Sequence, residues 1–131
     1  MSEKNIITQE VLLGTWELRE FKITLPDGTE KNWGIKPHGF IIYDKSGHVS
    51  TSINSGSVED NPADNFRNIL FYAGTYTIAG PNKILHTVTN ASDPKRIGKT
   101  MVRNAEIINN NQLCIRASGD YGQAYLLLQR I

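Results

Sequence analysis

Short runs rich in β-branched and aromatic residues recur along the whole chain, with turn-forming residues between them. Gly, Asn, Asp and Pro break the runs at intervals of roughly 10–15 residues, a pattern typical of consecutive antiparallel strands. Most connections have hairpin length, so the pattern predicts a meander that closes into a sandwich or a barrel. The eight predicted strands are Gly14–Ile23, Gly39–Asp44, His48–Asn54, Phe71–Ala79, Lys83–Ala91, Thr100–Ile108, Gln112–Ser118 and Gln123–Arg130.

Size and charge exclude several classes of protein. The length of 131 residues suits one core, so residues 1–131 are assigned to a single domain. Fourteen basic and thirteen acidic residues leave a net charge of +1, which gives no field to attract nucleic acid or an anionic membrane. Cys114 has no disulfide partner, and residues 1–5 lack a signal-like apolar stretch. We expect a cytoplasmic protein with no nucleic-acid or membrane partner.

Two short helices are expected beside the strands. Thr8 can cap a turn over residues 9–13. The second helix would begin with Asn61 as its cap and Pro62 at its first position. Its apolar face would consist of Phe66, Ile69 and Leu70.

The hairpin turn Gly80-Pro81-Asn82 predicts which side chains share a face of the sheet. If Ala79 pairs with Lys83, one face is apolar apart from a few rings, and the other face is rich in threonine. The apolar face should point inward. Its predicted opposite pairs are Ile78 and Ile84, Tyr76 and His86, Gly74 and Val88, and Tyr72 and Asn90.

Two arginines are predicted on the inner face of the last strands. Across residues 109–111, alternation places Arg103 opposite Ala117 on the apolar side, and across residues 119–122 it places Arg130 inward. A buried guanidinium is costly unless it is paired, so each arginine needs a partner or a ligand.

Four stretches resemble a known family. Gly14-Thr15-Trp16, with Arg130 on the last strand, resembles the Gly-x-Trp and terminal basic residue of lipocalins. Residues 39–43 followed by Gly47, residues 72–76, and residues 84–86 with Val88 resemble the short bacterial and fungal lipocalin-like domains. The resemblance implies a calycin-type fold: an all-β, eight-stranded antiparallel up-and-down barrel with one or two short helices. It also implies that Arg130 stacks over Trp16 at a closed end.

One loop departs from that resemblance. The subgroup often has an aromatic residue two positions after Pro94, where this chain has Arg96. Arg96 belongs to a basic loop with Lys95 and Lys99. We interpret this loop as solvated, in preference to a site that steers an acidic ligand to the mouth.

Polar groups on the inner face are the candidate ligand contacts. If Val88 pairs with Met101, then Tyr76, His86 and Arg103 form a row in which Arg103 clamps a carboxylate or enolate. Burial and the neighbouring guanidinium should keep His86 neutral. The alternative is that these groups satisfy one another in a solid core. The predicted ligand-binding set is Tyr72, Tyr76, His86, Asn90 and Arg103.

Other aromatic residues receive weaker interpretations. Trp33 could cover a ligand or anchor a loop, and the helix around Phe66 could be a lid or a permanent cap. Tyr43 and His48 flank a turn and are interpreted as surface groups.

The sequence lacks phosphate-loop, zinc and serine-hydrolase motifs, so we predict no cofactor, no metal and no assigned catalytic residue. The leading hypothesis is a binding protein for a small hydrophobic or amphipathic metabolite. A cofactor-independent isomerase or cyclase, and a filled-core interaction module, stay open as alternatives. An unpaired strand edge could support a homodimer.

Overall fold

Nine antiparallel strands form one sheet in the computed structural model, which describes residues 6–61, 66–119 and 122–131. No helix in these ranges is long and apolar enough to span a membrane. The strands are β1 Gly14–Thr24, β2 Glu30–Asn32, β3 His38–Tyr43, β4 His48–Asn54, β5 Ile69–Gly80, β6 Lys83–Ala91, β7 Thr100–Ile108, β8 Gln112–Gly119 and β9 Gly122–Arg130.

Pairing of β1 with both β3 and β9 closes eight of the strands into a barrel. The eight predicted strands and the barrel prediction are therefore confirmed. Strand β2 is an addition that pairs only with the far end of β1, through Lys22 to Thr24. Its three residues are all exposed and polar, so no apolar alternation marked it in the sequence.

Alternation along the strands builds the core. Hairpin pairs predicted from the turns are present, including Tyr76 with His86, Ile78 with Ile84, and Ala117 with Ala124. The inward positions of both sides of the cylinder meet in one buried apolar cluster.

The predicted pairing of Tyr72 with Asn90 is wrong. A bulge between Ala73 and Gly74 leaves Thr89 without an opposite residue, so Tyr72 pairs with Ala91 and Asn90 pairs with Ala73. Glycine permits this approach, because a Cβ at Gly74 would lie 1.9 Å from the Thr87 carbonyl oxygen. At the other end of the hairpin, Gly80 rather than Ala79 pairs with Lys83.

The predicted pairing of Val88 with Met101 is also wrong. Val88 instead exchanges backbone hydrogen bonds with the connecting loop: its amide donates to Lys99, and Gly98 donates to its carbonyl. The β6–β7 ladder therefore ends at Thr87 with Thr100, and His86 lies opposite Met101.

The first predicted helix is confirmed as α1, Gln9–Leu12, with the Thr8 hydroxyl accepting from the Val11 amide at 3.2 Å. The second is wrong where it can be compared, since Ile69 and Leu70 begin β5 and pair with β4. A 3-10 turn spans Phe66–Asn68. The part of the prediction on residues 62–65 lies outside the described residues.

One end of the barrel is sealed beneath α1. Trp16 is fully buried, and its indole nitrogen donates to the Leu12 carbonyl at 2.8 Å. The Arg130 guanidinium lies 4.2 Å from the centre of the Trp16 ring and donates to the carbonyls of Leu13 and Val11 at 2.8 and 2.6 Å. The cation–π contact and two charge-assisted hydrogen bonds tie α1 to the closing strands.

Replacing Arg130 with alanine should lower the free energy of unfolding by about 2–4 kcal/mol, because it removes the ring contact and both carbonyl hydrogen bonds. Urea denaturation measures the change. Arg19→Ala is the matched control, since Arg19 is exposed and forms an ion pair with Glu17, so its loss should change stability by less than about 1 kcal/mol. Equal effects of the two variants would contradict this account of the closed end.

Candidate functional site

A cavity of about 280 Å³ lies in the barrel at the end away from α1. Its position follows from strand direction: Phe21 and Ile23 near the end of β1 pair with Leu126 and Ala124 near the start of β9. Trp16 and Arg130 occupy the opposite ends of these strands. The apolar wall consists of Phe21, Ile23, Trp33, Ile41, Ile69, Leu70, Ile115, Ala117, Ala124 and Leu126.

Trp33 is half-buried on this wall and packs against Phe21, with ring centres 4.8 Å apart. The Trp33 amide donates to the Phe21 carbonyl at 2.9 Å, which fixes the segment after β2 across the cavity. Trp33 therefore both anchors its loop and lines the cavity.

A buried chain of three rings crosses the interior. His86 Nε2 lies 2.8 Å from the Tyr43 hydroxyl, and His86 Nδ1 lies 2.7 Å from the Tyr72 hydroxyl. All three side chains are almost completely buried. Tyr72 and His86 face the cavity, whereas Tyr43 is absent from its wall.

The His86 imidazole and the Tyr43 hydroxyl are both neutral. Burial, and secondarily the charge of Arg103, lower the pKa of His86 from 6.5 to about 3. Burial, reinforced by Tyr72, raises the pKa of Tyr43 well above its usual value. A neutral imidazole has one donor and one acceptor nitrogen, so it accepts from one tyrosine and donates to the other. The tyrosine that accepts keeps its own proton for a further partner.

Of the five predicted ligand contacts, Tyr72, His86 and Arg103 line the cavity and Tyr76 and Asn90 do not. The Tyr76 hydroxyl points toward the sealed end, where it donates to the Asp44 carbonyl at 2.9 Å and lies 3.4 Å from the Gln9 amide. Asn90 is exposed on the outer side of the bulge, with its side-chain oxygen accepting from the Ala91 amide.

Three arginines lie at the mouth of the cavity: Arg67, Arg96 and Arg103. Arg103 lies with its Cζ 6.0 Å from the centre of the Tyr72 ring. Arg103 and Arg96 both donate to the sulfur of Met101, at 3.4 and 3.6 Å. Within residues 6–61, 66–119 and 122–131, the ion pairs involve Arg19 and Lys22 and none of these three.

Several residues of the site were missed by the sequence analysis. Tyr43 is buried and not a surface group, as its alternation with the inward Ile41 on β3 could have indicated. Thr51 alternates in the same way with Val49 and Ile53 on β4. Arg96 lies half-buried on the cavity wall, contrary to the interpretation of its loop as solvated.

Thr51 has an incompletely satisfied side chain. It is 1 % exposed, and its Oγ1 has no hydrogen-bond partner among the described atoms. Thr51 pairs across β4 and β5 with Tyr72, and both line the cavity. A buried hydroxyl without a partner is unfavourable, so this atom marks a position where a polar ligand atom would be stabilised.

The chain was compared with known proteins. A family model described as the lipocalin-like domain matches residues 13–121. The chain belongs to the lipocalin-like domain family. The resemblance inferred from Trp16, Arg130 and the three further stretches is thereby confirmed.

Solved structures similar to this lipocalin-like domain include two redesigned β-barrels. One shares 13% identity with a TM-score of 0.54, over 94% of this chain and 94% of that chain. The other is mFAP1 bound to DFHBI, with 15% identity and a TM-score of 0.48, over 93% of this chain and 97% of that chain. The first likeness supports the barrel fold. A search of curated proteins found no match.

No group of three or more His, Cys, Asp or Glu side chains in the described ranges is arranged to hold a metal ion. The polar groups on the cavity wall are hydroxyl, imidazole and guanidinium groups.

The low pKa of His86 predicts a specific loss of stability in acid. At pH values below about 6.5 the unfolded chain binds a proton at this residue, whereas the folded protein binds it only near pH 3. As the pH falls through that window, His86 should lower the free energy of unfolding by up to about 1.4 kcal/mol for each pH unit. Above the window its effect disappears.

Denaturation of the wild type and the His86→Gln variant between about pH 4 and pH 6 measures this slope. The stability of His86→Gln should depend less steeply on pH. His38→Gln, at an exposed histidine, should keep the wild-type slope because His86 is retained. Parallel curves for the wild type and His86→Gln would contradict a neutral buried imidazole.

Proposed function

We propose that this lipocalin-like domain binds a small amphipathic molecule, with the apolar part of the ligand inside the barrel. The observation that carries the proposal is the cavity of about 280 Å³ that the protein's own side chains leave in the barrel. Its volume is near the lower end of the range for small-molecule sites. Membership of the lipocalin-like family is consistent with ligand binding in general.

The distribution of wall residues supports an amphipathic ligand over a purely apolar one. Small and aliphatic side chains from β8 and β9 form one side, whereas hydroxyl and imidazole groups from β4, β5 and β6 form another. Apolar walls provide binding free energy in proportion to the area that a ligand removes from water, and a few polar groups fix its orientation. Thr51 and Tyr72 are adjacent polar groups suited to that task.

The physical properties of the Tyr43–His86–Tyr72 chain favour binding over the isomerase or cyclase alternative. A proton passed along the chain to a ligand would leave Tyr43 as a buried phenolate, and burial disfavours that anion. A proton left on His86 is disfavoured for the same reason. The chain is therefore better suited to orienting the Tyr72 hydroxyl than to supplying protons. The filled-core alternative requires side chains that fill the interior, and the cavity of about 280 Å³ disfavours it.

Cytoplasmic location and a homodimer remain predictions from the sequence. The binding proposal requires neither of them.

Filling the cavity should weaken binding without harming the fold. Ala117 and Ala124 lie opposite each other on the wall, so Ala117→Leu and Ala124→Leu each place extra atoms where a ligand would lie. Decan-1-ol is the neutral probe, and Trp33 on the wall provides a fluorescence signal that Trp33→Phe should remove. Each leucine variant should weaken decan-1-ol binding at least tenfold, by steric exclusion equivalent to about 1.4 kcal/mol or more.

Ala79→Leu is the matched control, because Ala79 is exposed on β5 and its substitution should leave the affinity unchanged. The melting temperature of each variant checks the fold. Wild-type protein that binds neither decan-1-ol nor decanoate would overturn the proposal, as would cavity variants with wild-type affinity.

A further inference from the structure

Three positive charges from separate parts of the chain meet at the open end of the cavity. Arg67 lies in the 3-10 turn before β5, Arg96 in the turn Pro94–Arg96, and Arg103 on β7. All three contribute to the cavity wall. Their convergence is a property of the fold, because they are far apart in sequence.

The partners of Arg96 and Arg103 are too weak to compensate the charge of these two side chains. Arg96 and Arg103 share the thioether sulfur of Met101, and thioethers are weak acceptors. Arg103 also donates to the neighbouring Val102 carbonyl at 3.3 Å. Each of these two guanidinium groups has five N–H donors, and most of them have no acceptor among the described residues.

Like charges held near one neutral atom repel each other, and partial burial increases that repulsion. Both Arg96 and Arg103 are half-buried, and neither forms an ion pair with a carboxylate in the described part of the chain. An anion placed between them would relieve the repulsion and accept several hydrogen bonds at once. Planar guanidinium groups match a carboxylate especially well, since each can bind it through two parallel hydrogen bonds.

We propose that Arg67, Arg96 and Arg103 recognise the carboxylate of the ligand whose apolar part fills the barrel. The site rests on the proposed function and defines its ligand class as a small apolar carboxylic acid. Thr51, whose buried Oγ1 has no partner among the described atoms, adds a second observation that points to a polar ligand atom. It lies beside Tyr72, over whose ring Arg103 is positioned. The mouth therefore binds the charged end, and the apolar wall binds the tail.

Calorimetric titration of the whole chain with three probes of equal tail length tests the ligand class. Decanoate should bind roughly tenfold to a hundredfold more tightly than decan-1-ol, as expected for charge-assisted hydrogen bonds. Decylamine should bind more weakly than the alcohol, because its ammonium group is repelled by the arginines. Added salt should weaken the binding of decanoate more than that of decan-1-ol.

Single variants assign the difference to the arginines. Arg103→Met and Arg96→Met keep most of the side-chain length, so each should reduce decanoate affinity about tenfold and leave decan-1-ol affinity within about twofold. Arg103→Lys keeps the positive charge but cannot form two parallel hydrogen bonds to a carboxylate. It provides a second variant should Arg103→Met not fold. Arg116→Met is the matched control, since Arg116 stacks on Tyr125 with its Cζ 5.1 Å from the ring centre and is absent from the cavity wall.

The outcomes separate this inference from the proposed function. Equal affinities for decanoate and decan-1-ol would overturn carboxylate recognition while leaving a binding cavity in place. Equal losses of both ligands in the arginine variants would also overturn it, because they would indicate a structural role at the mouth. Absence of binding for all three probes would overturn both proposals.

Discussion

Closure of the sheet through β1 and β9 is the constraint on which the rest of the structure depends. An open sheet of the same strands would expose unpaired edges and would have no interior. Ladder pairs between the two strands run from Trp16 with Arg130 at one end to Thr24 with Gln123 at the other. The ring contact at the first pair also brings α1 over the barrel. One seam thus creates the cylinder and seals one of its ends.

Sealing one end makes the two ends chemically different. At the sealed end the arginine is satisfied, because Arg130 has an aromatic ring and two backbone carbonyls as partners. At the open end Arg96 and Arg103 share a thioether sulfur, and Arg103 also donates to one carbonyl at 3.3 Å and lies 6.0 Å from the centre of the Tyr72 ring. The same residue type therefore stabilises the fold at one end and remains available for a ligand at the other. The strength of the partners, and not the burial alone, distinguishes the two roles.

Alternation with a period of two predicted the faces of the strands well. An error of register moved a side chain to the other face only when the strand was shifted by an odd number of residues. Arg103 was placed two residues from its true position along β6, yet it stayed on the inner face because a shift of two preserves the face. Asn90 was displaced by only one residue and moved to the outer face. The bulge responsible adds a single residue, and short sequence patterns do not reveal such an insertion. The predicted site residues His86 and Arg103 therefore line the cavity, whereas the predicted Asn90 does not.

Contacts across the barrel were the least predictable feature of the site. The sequence identified Tyr76 as the neighbour of His86 along the ladder, and that pairing is correct. The hydroxyl groups that contact the imidazole nevertheless belong to Tyr43 and Tyr72. Tyr43 comes from β3, which is separated from β6 in the sheet order by β4 and β5. Tyr43 reaches His86 because the closed sheet is curved, and the pairing of neighbouring strands does not reveal that curvature.

The polar groups of the interior also explain why a charged ligand group would bind at the mouth and not deep in the barrel. His86 is kept neutral by burial, and a carboxylate placed beside it would lose hydration without gaining a formal positive charge. At the mouth, the half-buried guanidinium groups of Arg96 and Arg103 and the exposed one of Arg67 provide that charge while water still contacts part of the site. Charge compensation therefore increases toward the opening and apolar contact increases away from it. A molecule with one anionic end would be oriented by this gradient, with its tail directed away from the mouth, toward Ile115 and Leu126.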